Sequence, residues 1–165
     1  MSWIYKSKRV GLGGKTFFLY KFRTLHKNTD KTSSFARSGQ YTRFGKLLRK
    51  TKIDELPQLV NWIRGDISFF GYRAEEERHW MLLPEEIRKI LASRKPGIID
   101  LSSLHFFEEE RILQLDEDQN RTYWEKIRPM KMTLQMFYHE NRCWLLNIAI
   151  VYIYFKKAIW AIIKR

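Results

Sequence analysis

Residues 143–165, CWLLNIAIVYIYFKKAIWAIIKR, leave this chain few ways to fold. Twelve residues, 144–155, form an apolar run broken only by Asn147; Lys156 and Lys157, then AIWAII, then a Lys-Arg pair follow. A bilayer crossing needs about 20 apolar residues, so the run is too short to span. Two placements remain open for a helix of this composition. It lies in a membrane interface, its aromatic and aliphatic side chains buried and its cations at the headgroups, or it packs on the core of its own domain.

With 165 residues, 44% of them hydrophobic, the chain suits one compact domain that buries its own core. Lys and Arg outnumber Asp and Glu by 31 to 18, a net charge of +13, which points to polyanions: nucleic acid, anionic headgroups or phosphorylated small molecules. No recognition-helix cluster, zinc-finger spacing or aromatic RNA-binding signature accompanies the charge, so nucleic acid is not an expected partner. A lone cysteine, Cys143, excludes an internal disulfide and reads as an ordinary buried thiol. His26, His79, His105 and His139 lie far apart, and HENRC at 139–143 lacks the second histidine of a zinc-protease helix, so no zinc site is expected. The N-terminus, MSWIYKSKRVG, has no apolar h-region or cleavage site, and no secretory leader is expected.

Residues 1–26 read as a β-hairpin that turns at GLGG. GLGGKT is not a phosphate loop, because Arg9 stands where that motif needs glycine. Residues 27–41, KNTDKTSSFARSGQY, read as a mobile polar loop over a site. Residues 42–142 read as a helical core, with Thr42 as an N-cap, a helix over 51–65 closed by Gly65, and two more over EEERHWMLL and EEIRKILASR around Pro84. GIIDLSSLHFF is a short apolar segment, and helical spacing runs from about 108 onward. The expected fold is mostly α with a small N-terminal β-hairpin, a single membrane-associated domain with an amphipathic C-terminal helix at 143–165.

TKIDELPQLVNWIRG, 51–65, sets Asp54 and Glu55 side by side in a strongly basic chain. One reading makes Asp54 a helix N-cap, with Glu55 in the first turn against the helix dipole. The other uses the same physics to hold a carboxylate ionised for nucleophilic work. Two adjacent anions need compensation, which Arg49, Lys50 and Lys52 or a divalent metal would supply. Arg73 follows a glycine in GDISFFGYR, where the backbone can aim a guanidinium at a phosphate or leave it solvated. Lys21 and Arg23 alternate along a strand, so both leave one face, again toward a phosphate or toward water.

Read in order, RVGLGGKTFFLYKFRTL, LLRKTKIDELPQLVNWIRGDISFFGYR, RKPGII and YWEKIRPMKMTLQMFYHENRCWLLNIAIVYIYFKKAI resemble the bacterial sugar transferase family, the monotopic polyprenyl-phosphate phosphoglycosyl transferases. The resemblance covers nearly the whole chain. It implies an enzyme at the cytoplasmic face of the bacterial inner membrane that moves a sugar 1-phosphate from a nucleotide diphosphate sugar, commonly a UDP-sugar, to a polyprenyl phosphate. It implies Asp54 as the nucleophile that forms an acyl-phosphate, Glu55 as a ligand of Mg2+, and Arg49 and Arg73 as phosphate-binding arginines. Lys21 and Arg23 join them as candidate phosphate contacts.

The sequence departs from the family pattern at three places. Only about eight residues precede RVG, with no re-entrant helix among them, so an anchor from a partner protein is an expectation. Gly-Pro-Arg-Pro is here Gly71-Tyr72-Arg73-Ala74, and Arg-Pro-Gly-Ile-Thr-Gly is Lys95-Pro96-Gly97-Ile98-Ile99-Asp100. These changes keep open an alternative, a non-catalytic homologue acting as a membrane- or nucleotide-sugar-binding scaffold.

Overall fold

The computed structural model describes residues 3–26, 40–106, 113 and 118–163. Strands β1 (Ile4–Val10) and β2 (Thr16–Phe22) form the expected antiparallel hairpin, in register from Ile4 opposite Phe22 to Val10 opposite Thr16. A single 3-10 turn, Leu12–Gly14, joins them. It needs glycine at two positions, since Gly13 and Gly14 have φ of 66° and 72°. The polar loop expected at 27–41 falls outside the described residues except for Gln40 and Tyr41.

Helix α1 (Arg43–Thr51) begins as its sequence predicts: the Thr42 hydroxyl accepts the Gly45 N–H at 2.8 Å. The helix expected over 51–65 is broken into three pieces. Lys52 takes a left-handed conformation, a 3-10 turn covers Ile53–Glu55, and α2 (Gln58–Ile63) starts after Pro57. Asp54 therefore caps no α-helix, and its side chain makes no capping hydrogen bond. The predicted stop at Gly65 holds, with φ of 78°. The Gly65 N–H donates to Trp62 O and the Asp66 N–H to Asn61 O, the paired bonds of a Schellman motif.

A second ribbon was not expected. Strand β3 (Ser68–Phe70) runs parallel to β4 (Gly97–Ile99). Three-residue strands carry too little alternation to be read from sequence. Their signal is glycine: a Cβ on Gly71 would lie 2.6 Å from Gly97 N, and one on Gly97 would overlap the Gly71 backbone.

Helices α3 (Glu77–Met81) and α4 (Glu85–Ala92) flank Pro84, which is the cap residue before α4. A five-residue helix, α5 (Leu101–His105), follows β4. Helix α6 (Gln119–Thr122), a π-helical turn (Tyr123–Ile127) and α7 (Arg128–Asn141) lead to α8 (Trp144–Ile163). One core cluster joins Val10, Tyr72, Trp80, Leu83 and Leu91, with Met132 and Met136 packed against it. A buried ion pair crosses the interior nearby: Arg128 donates to Glu75 at 2.6 Å, each side chain only 8% exposed.

Helix α8, the C-terminal segment, packs on the core of its own domain along one side. Ile150 is buried with Leu104 and Tyr138, and Leu146 and Tyr154 pack against them. The opposite side exposes Trp144, Ile148, Tyr152, Phe155, Ile159 and Ile163, spaced three or four residues apart. Lys157 turns inward and donates to Leu104 O at 2.9 Å instead of joining an outer row of cations. Cys143 is exposed, not buried, because it sits at the corner between α7 and α8. No helix among the described residues is long and apolar enough to cross a membrane.

Candidate active site

The break between α1 and α2 shapes the site. Lys52 at φ 59° and ψ 14° closes α1, its N–H donating to Arg49 O at 3.1 Å. The chain then turns so tightly that Asp54 and Glu55 both point into the protein. The Asp54 residue is 6% exposed and its Oδ1 is buried without a hydrogen-bond partner. Glu55 is handled differently: its Oε1 accepts from Lys21 Nζ at 2.7 Å and from Arg73 Nη2 at 3.1 Å. Lys21 arrives from β2 and Arg73 from the segment after β3, so three parts of the chain meet on one carboxylate oxygen.

This asymmetry sets the electrostatics. Burial pushes the Glu55 carboxyl up, but Lys21, Arg73 and Lys52 together outweigh it and hold Glu55 well below the usual carboxylate range. Burial pushes the Lys21 ammonium down to about 8, against the pull of Glu55 and with the repulsion of Arg73. Asp54 goes the other way: burial, then the neighbouring Glu55, raise it above its ordinary value of 3.8, opposed by Lys21, Arg49 and Lys52. The helix-start effect expected to keep Asp54 low is absent because no α-helix begins there.

Of the residues singled out from sequence, Lys21, Asp54, Glu55 and Arg73 converge. Arg49 stacks over the Tyr41 ring at 4.9 Å and lies close enough to Asp54 to stabilise its anion. Arg23 does not join them. It lies one residue beyond the end of β2, and among the described residues it makes no ion pair with Asp54 or Glu55. Its N–H donates to Trp3 O at 2.8 Å and its Nε is buried without a partner.

Several neighbours carried no sequence signal. Ser103 accepts from Arg73 Nη1 at 3.1 Å. Tyr154 of α8 feels Glu55, Arg73 and Asp54, and burial raises its phenol well above the usual range. Lys52, by contrast, acts on both acids as the sequence led us to expect, lowering Asp54 and Glu55 alike. Arg9, Leu19, Lys21, Gln58 and Arg73 enclose a void of about 10 Å³ behind the cations, room for one water and far too small for a sugar nucleotide.

Among the described residues no three His, Cys, Asp or Glu side chains come together as a metal cage. Lys21 and Arg73 both take Glu55 Oε1, and a carboxylate whose other oxygen lies outside those contacts fits a magnesium ion, which keeps several waters and takes one or two carboxylates plus substrate phosphates.

The model of the family described as bacterial sugar transferase matches residues 1–161. A putative undecaprenyl-phosphate N-acetylgalactosaminyl 1-phosphate transferase of Bacillus subtilis is 45% identical over 75 residues, 44% of this chain and 42% of that protein. An uncharacterized sugar transferase of the same organism, EpsL, is 32% identical over 156 residues, 94% of this chain and 69% of EpsL. A UDP-glucose:undecaprenyl-phosphate glucose-1-phosphate transferase of Xanthomonas campestris is 29% identical over 145 residues, 78% of this chain but 30% of that protein. With a family model matched almost end to end and EpsL aligned over most of both chains, the protein belongs to the bacterial sugar transferase family.

Proposed function

We propose that this protein transfers a sugar 1-phosphate from a UDP-sugar to a polyprenyl phosphate, releasing UMP, at the cytoplasmic face of the bacterial inner membrane. The observation that carries the reading is the unequal treatment of the two acids. Glu55 receives Lys21 and Arg73 on its Oε1, whereas Asp54 keeps a buried oxygen with no partner. Burial makes the Asp54 anion more reactive, while Lys21, Arg49 and Lys52 favour its ionised form.

In the first step a carboxylate oxygen of Asp54 attacks the sugar-bearing phosphorus. A P–O bond to Asp54 forms, the P–O bond to UMP breaks, and UMP leaves with the electron pair. In the second step an oxygen of polyprenyl phosphate attacks the same phosphorus, and the bond to Asp54 breaks to return the carboxylate. Arg73 and Arg49 hold diphosphate oxygens and offset the charge that builds on them. Lys21 keeps Glu55 ionised and in place. Glu55, with the diphosphate, would hold magnesium, which neutralises charge on the leaving phosphate when bound. The exposed apolar stripe of α8, continued by Phe44 and Leu47 on the neighbouring α1, would rest in the membrane interface where the lipid substrate resides.

The test is incubation with a panel of UDP-sugars and Mg2+ without acceptor, followed by mass spectrometry. A phosphosugar adduct on Asp54, lost in Asp54→Asn, is expected. UDP-sugar binding with neither adduct nor UMP would instead make the protein a scaffold.

A further inference from the structure

Arg73 uses both ends of its guanidinium. Nη2 reaches Glu55, and Nη1 donates to Ser103 Oγ at 3.1 Å, on a helix 30 residues away. Its side chain is 35% exposed, so packing alone does not fix it. Ser103 in turn belongs to α5, which at five residues is too short to hold its own shape. What holds it is Asp100. This residue is 2% exposed and caps α5, its Oδ1 accepting the Ser103 N–H at 2.9 Å and the Ser102 hydroxyl in a short bond. Gln135 of α7 donates to Ser102 Oγ at 3.4 Å, and Lys157 of α8 holds the far end of α5 through Leu104 O. A buried acid thus fixes a short helix, and that helix fixes a serine against an exposed arginine.

We infer that Asp100 and Ser103 are positioning residues for Arg73, a buried relay that fixes the guanidinium fork in place of rigid backbone on either side of it. Arg73 lies between Tyr72 and Ala74, neither of which restrains φ as proline would. The relay restrains the side chain instead, through two anchors on opposite ends of the fork. The inference rests on the reading of Arg73 as a phosphate contact.

The test measures affinity for inorganic pyrophosphate by calorimetry and kcat and KM for the UDP-sugar, in the intact protein and in Ser103→Ala, Ser103→Thr, Asp100→Ala and Asp100→Asn. Ser103→Ala is expected to weaken pyrophosphate binding and to raise KM about five- to tenfold, less than the full worth of one hydrogen bond to a charged group because Glu55 still holds the other end of the fork. Ser103→Thr should recover most of that loss because it restores the hydroxyl. Asp100→Ala, which removes the cap, should weaken pyrophosphate binding as Ser103→Ala does, and Asp100→Asn should recover most of the loss, since Asn caps a helix as well as Asp; an Asp100→Ala protein that binds like the parent would overturn the part given to Asp100. In an Arg73→Lys background, which removes the fork, Ser103→Ala should have no further effect. An equal loss in both backgrounds would overturn the relay, because Ser103 would then act without Arg73. No loss in either background would overturn it as well. A parent protein that fails to bind pyrophosphate at all would remove the phosphate-contact reading itself, a failure seen before any variant is compared.

Discussion

Replacing Asp54 with Asn should make the protein more stable while abolishing turnover. Asp54 is 6% exposed with an unpartnered oxygen, and burying an unsatisfied polar group costs about 1–3 kcal/mol, more when it is charged. Lys21, Arg49 and Lys52 return part of that through attraction, so the charged acid is left with a net penalty. Asn fills the same space with one unpaired polar atom and no charge. The expected gain is about 1 kcal/mol at pH 7.5, roughly 2–4 °C in melting temperature for a chain of this size. The pH dependence follows from the raised folded pKa. The unfolded carboxyl ionises near 3.8 and the folded one higher, so the penalty grows as pH rises between those values and is constant above them. The advantage of Asp54→Asn should therefore shrink as pH falls through the folded value and vanish below 3.8. Urea unfolding of both proteins from pH 3 to 8 measures it, alongside turnover, which should fall by about four orders of magnitude. A variant less stable by about 1 kcal/mol at pH 7.5, with the difference unchanged at low pH, would mean that Asp54 is a structural acid and would refute the argument.

Other outcomes can be checked separately. The rate should fall as pH rises through about 8, where Lys21 loses its proton, and Lys21→Arg should remove that basic limb from the pH–rate profile. Arg128→Leu should cost about 3–5 kcal/mol in urea unfolding, because it strands Glu75 in the interior. Ile159→Asp with Ile163→Asp should sharply reduce cosedimentation with phosphatidylglycerol vesicles and leave the circular dichroism spectrum unchanged, since both side chains lie on the exposed side of α8.

Much of the fold was written in local chemistry. Thr42, Gly65, Pro84 and the GLGG turn mark their boundaries through capping and backbone preference, effects that act within a few residues and can be read along the chain. The β3–β4 ribbon is different, because two three-residue strands become stable only when Gly71 and Gly97 allow their backbones to meet, and nothing near either glycine names the other. The site divides in the same way. Asp54 and Glu55 stand out by adjacency, but their opposite environments depend on Lys21 from β2 and Arg73 from beyond β3. Arg23, paired with Lys21 by alternation, makes no ion pair with either acid among the described residues. Ser103 and Tyr154 sit in an unremarkable LSSL and in an apolar run, and only the folded chain brings them to Arg73 and Glu55.

Lys52 has a consequence for anyone who would engineer this protein. It is the only non-glycine among the described residues with positive φ, a conformation that costs about 1–2 kcal/mol for a side chain with a Cβ. A redesign guided by thermal stability would be drawn to glycine there, to relieve the backbone, and to asparagine at 54. Each would also remove a charge that the other residues of the site respond to: the Lys52 ammonium acts on both Asp54 and Glu55. Around this turn melting temperature is therefore a misleading proxy for quality, and a stabilisation campaign should hold residues 52–55 fixed and search elsewhere.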